Sequence, residues 1–223
     1  GFVNQTSLSA SSLANQISFV LNLLYSGVAS GTIMLCAQYW GRQQLRTIEK
    51  IMGIAMRLSM SISILFGAAA CLVPGLLMRI FTADQEMIAV GSSYLRILGL
   101  SYLFMGFSQV YLCVMRSIER VVFSAVVTAI ALISNILLNA VFIFGLFGVP
   151  AFGIRGAAIA TVIARGMEFF ICVGDNFHGQ SVRFRMREVF ASNSLLFHDY
   201  LHYSLPAFGN EVVWGVGFSM YSV

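Results

Sequence analysis

The sequence predicts an all-α polytopic membrane helix bundle, and three observations carry that expectation. Of its 223 residues, 58% are hydrophobic and only 10% charged, against roughly 45–50% apolar and about 25% charged in an ordinary soluble domain. The apolar residues fall into runs long enough to cross a bilayer, which takes about 20 residues per helix. The basic residues collect in alternate loops between those runs. A soluble fold could not cover so much apolar surface with so few charges. The net charge of +4 is therefore a matter of topology, and the short basic clusters lack the contiguous, aromatic-interleaved face that nucleic acid requires.

Turn signals and charges place six spans at about 10–39, 51–81, 87–115, 121–148, 154–177 and 201–223. Ser59, Ser61 and Ser63 alternate with apolar neighbours, but too briefly for a β-barrel strand. One set of alternate loops holds Arg42, Arg46, Lys50, Arg116, Arg120, Arg183, Arg185 and Arg187, and the other holds only Arg79 and Arg155. Eight against two puts 40–50, 116–120 and 178–200 on the cytoplasmic side, because positive charge stays inside. In "FGVPAFGIRGAAIAT", residues 147–161, the glycines and Pro150 turn the chain on the outer side, and the small residues after Gly156 allow two helices to lie close. The expected outer Asn4-Gln5-Thr6 matches a glycosylation acceptor, a triplet common by chance.

The chain begins at Gly1 with no recognisable signal peptide and closes inside an apolar run, and we expect an internal piece of a longer protein. Cys36, Cys71, Cys113 and Cys172 lie within apolar runs at no metal-ligand or disulfide spacing, so we read them as packing residues. No metal or catalytic constellation stands out: His198 and His202 have the i, i+4 spacing of a zinc pair, but no third ligand is evident.

Polar residues recur at helical spacing. In the first span Ser11, Asn15, Ser18, Asn22, Ser26 and Ser30 share one face, which fits either interhelical hydrogen bonding beside Gly27-x-x-x-Gly31 or the wall of a water-filled cavity. The fourth span repeats the pattern with Ser124, Thr128, Asn135 and Asn139. Its two asparagines either offer carbonyl oxygens to a small cation or clamp a neighbouring helix. In the fifth span Arg165 and Glu168 are spaced to neutralise each other near the cytoplasmic end. In the last span Glu211 follows Pro206, and Trp214, Phe218 and Tyr221 continue its face. An ionisable residue there costs roughly 2.5–3.5 kcal/mol to insert. A carboxylate followed by three rings suits an organic cation, or a coupling proton or sodium ion; the alternative is a carboxylate paired with a basic residue of another helix while the rings face lipid.

The blocks "GTIMLCAQYWGR", "YLRILGLSYLF", "VMRSIER", "NILLNAVFIFGLFGVPAFGIRGAAIAT" and "PAFGNEVVWGVG" occur in an order and spacing that resembles the multidrug and toxic compound extrusion (MATE) family of cation-coupled efflux transporters. The resemblance implies twelve helices in two six-helix lobes, of which this chain runs from the second helix into the seventh. Residues 1–177 would then be the amino-terminal lobe without its first helix, 178–200 the inter-lobe connection, and 201–223 the start of the second lobe. It implies alternating access about a central cavity, with Glu211, Asn135 and Asn139 at positions tied to cation coupling or substrate binding and Gln38 at a packing or gating position; the helical spacing adds Trp214 and Tyr221 beside Glu211 as candidate binding residues, and Asn15, Asn22 and Thr128 join Gln38 as candidate cavity lining. Asn139 stands where many members carry aspartate, and Glu119 and Arg120 follow the "RS" block where many carry glycine.

The expected protein is a multi-pass transporter of the cytoplasmic membrane and not an enzyme, exchanging small organic compounds for H+ or Na+. It would need no cofactor and no metal, and its partners would be the lipid bilayer and the rest of its own chain. The rival readings are a flippase of lipid-linked precursors, which would favour a strongly basic cavity, and a structural membrane subunit that buries Glu211 against a partner.

Overall fold

The computed structural model describes residues 5–145, 150–178, 182, 184–185 and 194–221, and among them there is no strand. The described residues form seven helices in order: α1 (Gln5–Gly41), α2 (Leu45–Leu72), α3 (Pro74–Arg79), α4 (Gln85–Ser117), α5 (Val121–Phe144), α6 (Ile154–His178) and α7 (Ser194–Tyr221). Five of them, α1, α2, α4, α5 and α6, are long and apolar enough to cross a membrane. The sixth expected span falls in α7, which is long enough but outside this group. Its described turns carry His198, Asp199, His202, Asn210 and Glu211. Asn4 and the segments 146–149 and 186–193, with Arg187, lie outside the described residues, as does Arg183.

The helix ends have local causes. The single span expected over 51–81 is two helices, because Pro74 has no N–H to continue α2 and starts α3 instead, after Val73 leaves helical geometry at φ −129°. Asp84 caps α4, its Oδ1 accepting the Glu86 N–H at 2.9 Å. α1 and α4 both close with a non-glycine residue in the left-handed region, Gln43 at φ 57° and Glu119 at φ 67°. In each case the next residue's N–H reaches back five residues, Gln44 to Tyr39 at 3.0 Å and Arg120 to Met115 at 2.9 Å, which satisfies otherwise orphaned carbonyls. Between α5 and α6 the turn uses Gly145 at φ 72° and Gly153 at φ 55°, and the Phe152 N–H donates to the Phe142 carbonyl at 2.9 Å.

The chain forms two compact units, one of Gly1–Val20, Ser63–Met105 and Val127–Phe170, the other of Leu21–Ile62, Gly106–Val126 and Ile171–Val223. In the first, helices approach where side chains are missing. A Cβ on Gly99 would meet Ala70 at 2.9 Å and the Gly67 carbonyl at 3.3 Å, and one on Gly156 would lie 2.6 Å from the Phe142 carbonyl oxygen. Tyr102 is buried here beside Ser18, with 2.8 Å between the hydroxyls. In the second unit, Gly27 and Gly31 of α1 face Phe208 and Ser204 of α7. Buried Tyr200 donates to the Val28 carbonyl at 2.6 Å and lies 3.0 Å from the Thr32 hydroxyl. Ser59 bridges to the Gly106 carbonyl at 2.8 Å.

Two expectations follow for stability in detergent. Gly156→Ala should lower Tm, by an overpacking loss of about 1–3 kcal/mol, whereas Gly174→Ala, with nothing within 4 Å of the new methyl, should be neutral or gain up to about 1 kcal/mol of helix propensity. Glu119→Gly should raise Tm, because it removes a left-handed strain of about 1 kcal/mol; an unchanged or lower Tm would mean the strain is compensated.

Candidate functional site

The first-span stripe is largely committed to internal bonds. Ser11 and Ser30 donate to the Leu8 and Ser26 carbonyls of their own helix, both at 2.9 Å, and Asn15 Oδ1 accepts the Tyr94 hydroxyl at 3.3 Å. Asn22 and Gln38 are exposed on α1.

The fourth-span residues come together with α6. A cavity of about 190 Å³ lies between these helices, with Thr128, Asn135, Thr161 and Arg165 as its polar walls and Ala131, Leu132 and Ala164 as its apolar ones. Asn135 donates to Thr161 Oγ1 at 3.3 Å and accepts from Asn139 Nδ2 at 3.1 Å. The Thr161 hydroxyl in turn donates to the Ala157 carbonyl at 3.0 Å. Asn139 Oδ1 is buried without a hydrogen-bond partner among the described residues, an arrangement that native interiors seldom leave unexplained.

Arg165 and Glu168 do pair, Nη1 to Oε2 at 2.7 Å, with the Glu168 carboxylate almost fully buried. The pair sits near the middle of α6, not near its end: Arg165 is eleven residues past Ile154 and Glu168 ten before His178. Arg165 also reaches the cavity, a role that pairing at i, i+3 alone did not suggest.

Glu211 and Trp214 belong to the other unit. Glu211 is half-buried and Trp214 exposed, while the side chain of Tyr221 lies outside the described residues. Among the described residues no group of three or more His, Cys, Asp or Glu side chains is placed to hold a metal.

The strongest polar cluster is one the sequence reading missed. Arg120 meets Asp175 through two parallel bonds, Nη1 to Oδ2 at 2.8 Å and Nη2 to Oδ1 at 2.7 Å, and the Tyr111 hydroxyl donates to the same Oδ2 at 2.6 Å. The guanidinium also lies 4.7 Å over the Phe123 ring. The hydrogen bonds to Asp175, followed by its negative charge, hold Arg120 above the ordinary arginine value, so its charge is permanent. Arg120 registered in the sequence as one more loop cation. Its partner is 55 residues away, and the only available signal was a lone Asp175 in a run that offers no local partner at helical spacing.

A bundle of apolar helices, five of them long enough to span and two of them lining a cavity with polar and apolar walls, is that of a multi-pass membrane protein. The MatE family model matches residues 1–141, and the chain belongs to that family. It is 21% identical over 213 residues to the uncharacterized transporter YisQ of Bacillus subtilis, covering 96% of this chain and 47% of that protein. It is 29% identical over 167 residues to the probable multidrug resistance protein NorM of Rhizobium meliloti, covering 73% of this chain and 34% of that one. The crystal structure of MATE in complex with MaD3S superimposes with a TM-score of 0.86 at 20% identity, over 97% of this chain and 48% of that one. The chain thus spans about half the length of these relatives or less, and the all-α transporter fold is shared.

The triad makes its own prediction. Asp175→Asn should cost about 1.5–3 kcal/mol of stability, as the loss of hydrogen bonds to a charged group does, and Tyr111→Phe about 1 kcal/mol. Thermal melts of the two single variants and the double should show losses that do not add, since both remove the same bond to Oδ2.

Proposed function

We propose that the full-length protein is a secondary active antiporter that exports amphipathic, often cationic compounds in exchange for protons or sodium ions. The observation that carries this reading is the cavity between α5 and α6 that includes Thr128, Asn135, Thr161 and Arg165 in its wall, in a chain of the MatE family. Polar groups in an apolar bundle are costly, so a cavity that keeps amide, hydroxyl and guanidinium groups together supports a transport path over simple packing. The relatives named as multidrug resistance proteins support drug export in the same way.

Coupling belongs to two places in this reading. Asn139 Oδ1, buried and unpartnered, is an acceptor for a small cation, with Asn135 beside it. Glu211, half-buried on α7, is the carboxylate able to hold a proton or a sodium ion, with Trp214 and Tyr221 on the same helical face. Asn15, Asn22, Gln38 and Thr128 complete the proposed lining. Residues 1–177 form the amino-terminal lobe in this reading, 178–200 the connection and 201–223 the start of the second lobe. Helix α7 begins at Ser194, so the last turns of that connection are already helical.

The test is efflux of a fluorescent organic cation from liposomes holding the full-length protein, under an imposed proton or sodium gradient. Glu211→Gln and Asn139→Ala should each weaken coupling at least about fivefold while insertion and helicity persist. Efflux that ignores the gradient in the unmodified protein would overturn antiport. Efflux undiminished by Glu211→Gln would remove that residue from the coupling site.

A further inference from the structure

Helix α7 is held to its unit differently from the other helices. Among the described residues, ion pairs tie Arg120, ahead of α5, to Asp175 of α6 and Glu49 of α2 to Arg185 beyond α6, and none reaches α7. The contacts of α7 involve no carboxylate. Gly27 and Gly31 of α1 admit Phe208 and Ser204, Tyr200 donates to the Val28 carbonyl at 2.6 Å, and the Arg57 guanidinium lies 5.6 Å over the Phe197 ring. On the α1 side the polar groups are already satisfied without α7. The Thr32 hydroxyl donates to the Val28 carbonyl at 2.7 Å, and the same carbonyl serves the backbone ladder of its own helix. Withdrawing Tyr200 therefore orphans nothing on α1 and frees one hydroxyl that water can satisfy, whereas withdrawing Asp175 from Arg120 would strand two charges. Gly27, Val28, Gly31, Thr32, Leu35 and Cys36 are all buried and share one face of α1. Thr32 lies nine residues before Gly41, about 14 Å, so this face runs toward the end of α1 that loop charge assigns to the cytoplasm. Pro206 sits between Ser204 and Phe208 inside α7, and its missing N–H removes one rung of the helix ladder at the level of the contact.

We propose that the α1–α7 seam is a reversible contact that opens during transport, with Tyr200 as its latch and the Gly27 and Gly31 surface as the seat to which α7 returns. The proposal rests on the transport reading and deepens it by naming the contact that moves. A glycine surface has no side chains to interlock, so two helices meeting there can part and close again without repacking rotamers. Tyr200 is a positioning residue: it sets how long α7 stays seated and touches no solute.

The experiment uses the full-length protein in liposomes and a native reporter. Cys36, fully buried, follows Thr32 by one turn on the seam face, and Cys172, fully buried on α6, is the reference. Alkylation of each by N-ethylmaleimide is read by peptide mass spectrometry. Tyr200→Phe keeps the ring and removes the latch bond, so it should speed Cys36 labelling about fivefold, as loss of one neutral hydrogen bond does, and leave Cys172 unchanged. The second variant joins Gly31→Cys to Ser204→Cys, where a Cβ on Gly31 would stand 3.0 Å from the Ser204 Cβ, close enough for a disulfide. Oxidised, it should lose both Cys36 labelling and efflux of the fluorescent cation, and reduction of the same sample should restore both. Unchanged Cys36 labelling in Tyr200→Phe, an equal rise at Cys172, or full efflux by the cross-linked protein would each overturn the proposal. An unmodified protein without gradient-driven efflux would remove antiport, while Cys36 labelling that the cross-link blocks would keep the moving seam.

Discussion

In lipid no hydrophobic force draws one apolar helix to another, so helices approach where side chains are small enough to let backbones meet. Much of this structure depends on that constraint. On α1, Gly27 and Gly31 leave room for Phe208 and Ser204 of α7, and the close approach brings Thr32, one residue on, within reach of Tyr200. On α6, Gly156 rests against the Phe142 carbonyl. Thr161 follows little more than a turn later and is thereby placed to receive the Asn135 amide. Backbone contact at one level thus decides which polar side chains meet at the next.

The polar residues then divide by what remains open after those contacts form. Asn15, Ser18, Ser59 and Thr32 are engaged in bonds that tie helices together within their own unit. Asn139 keeps an unsatisfied oxygen, and Arg165 keeps donors beyond its ion pair. Satisfied groups hold the bundle in register, and unsatisfied ones are where a solute can be chosen.

Much of the fold was legible because apolar run length and loop charge are local properties. The expected helices at 87–115 and 154–177 differ from α4 and α6 by two residues or fewer at each end. The division of 51–81 at Pro74 was equally local, but a proline can also sit inside a continuous helix, as Pro206 does in α7. The site was legible in part. Asn135 and Thr128 declared themselves by periodicity, whereas Thr161 and Arg165 join them only because two helices face each other at a given rotation. Arg120 and Asp175 are farther from legible still, since nothing near either residue encodes a partner 55 positions away.

In the last turn of α6, the Asn176 side chain holds both main-chain polar groups of Phe184: Oδ1 takes the Phe184 N–H at 2.6 Å, and Nδ2 donates to its carbonyl at 3.4 Å. The Phe184 ring stands edge-on to Phe107 at 5.4 Å, and Arg185 reaches Glu49 at 3.3 Å. A side-chain amide that bonds a backbone in this way does not read the residue it holds. It measures contour length. Adding or deleting a residue between positions 176 and 184 would then present the amide with the wrong face of the chain, whereas substitution there is limited chiefly by buried Val182.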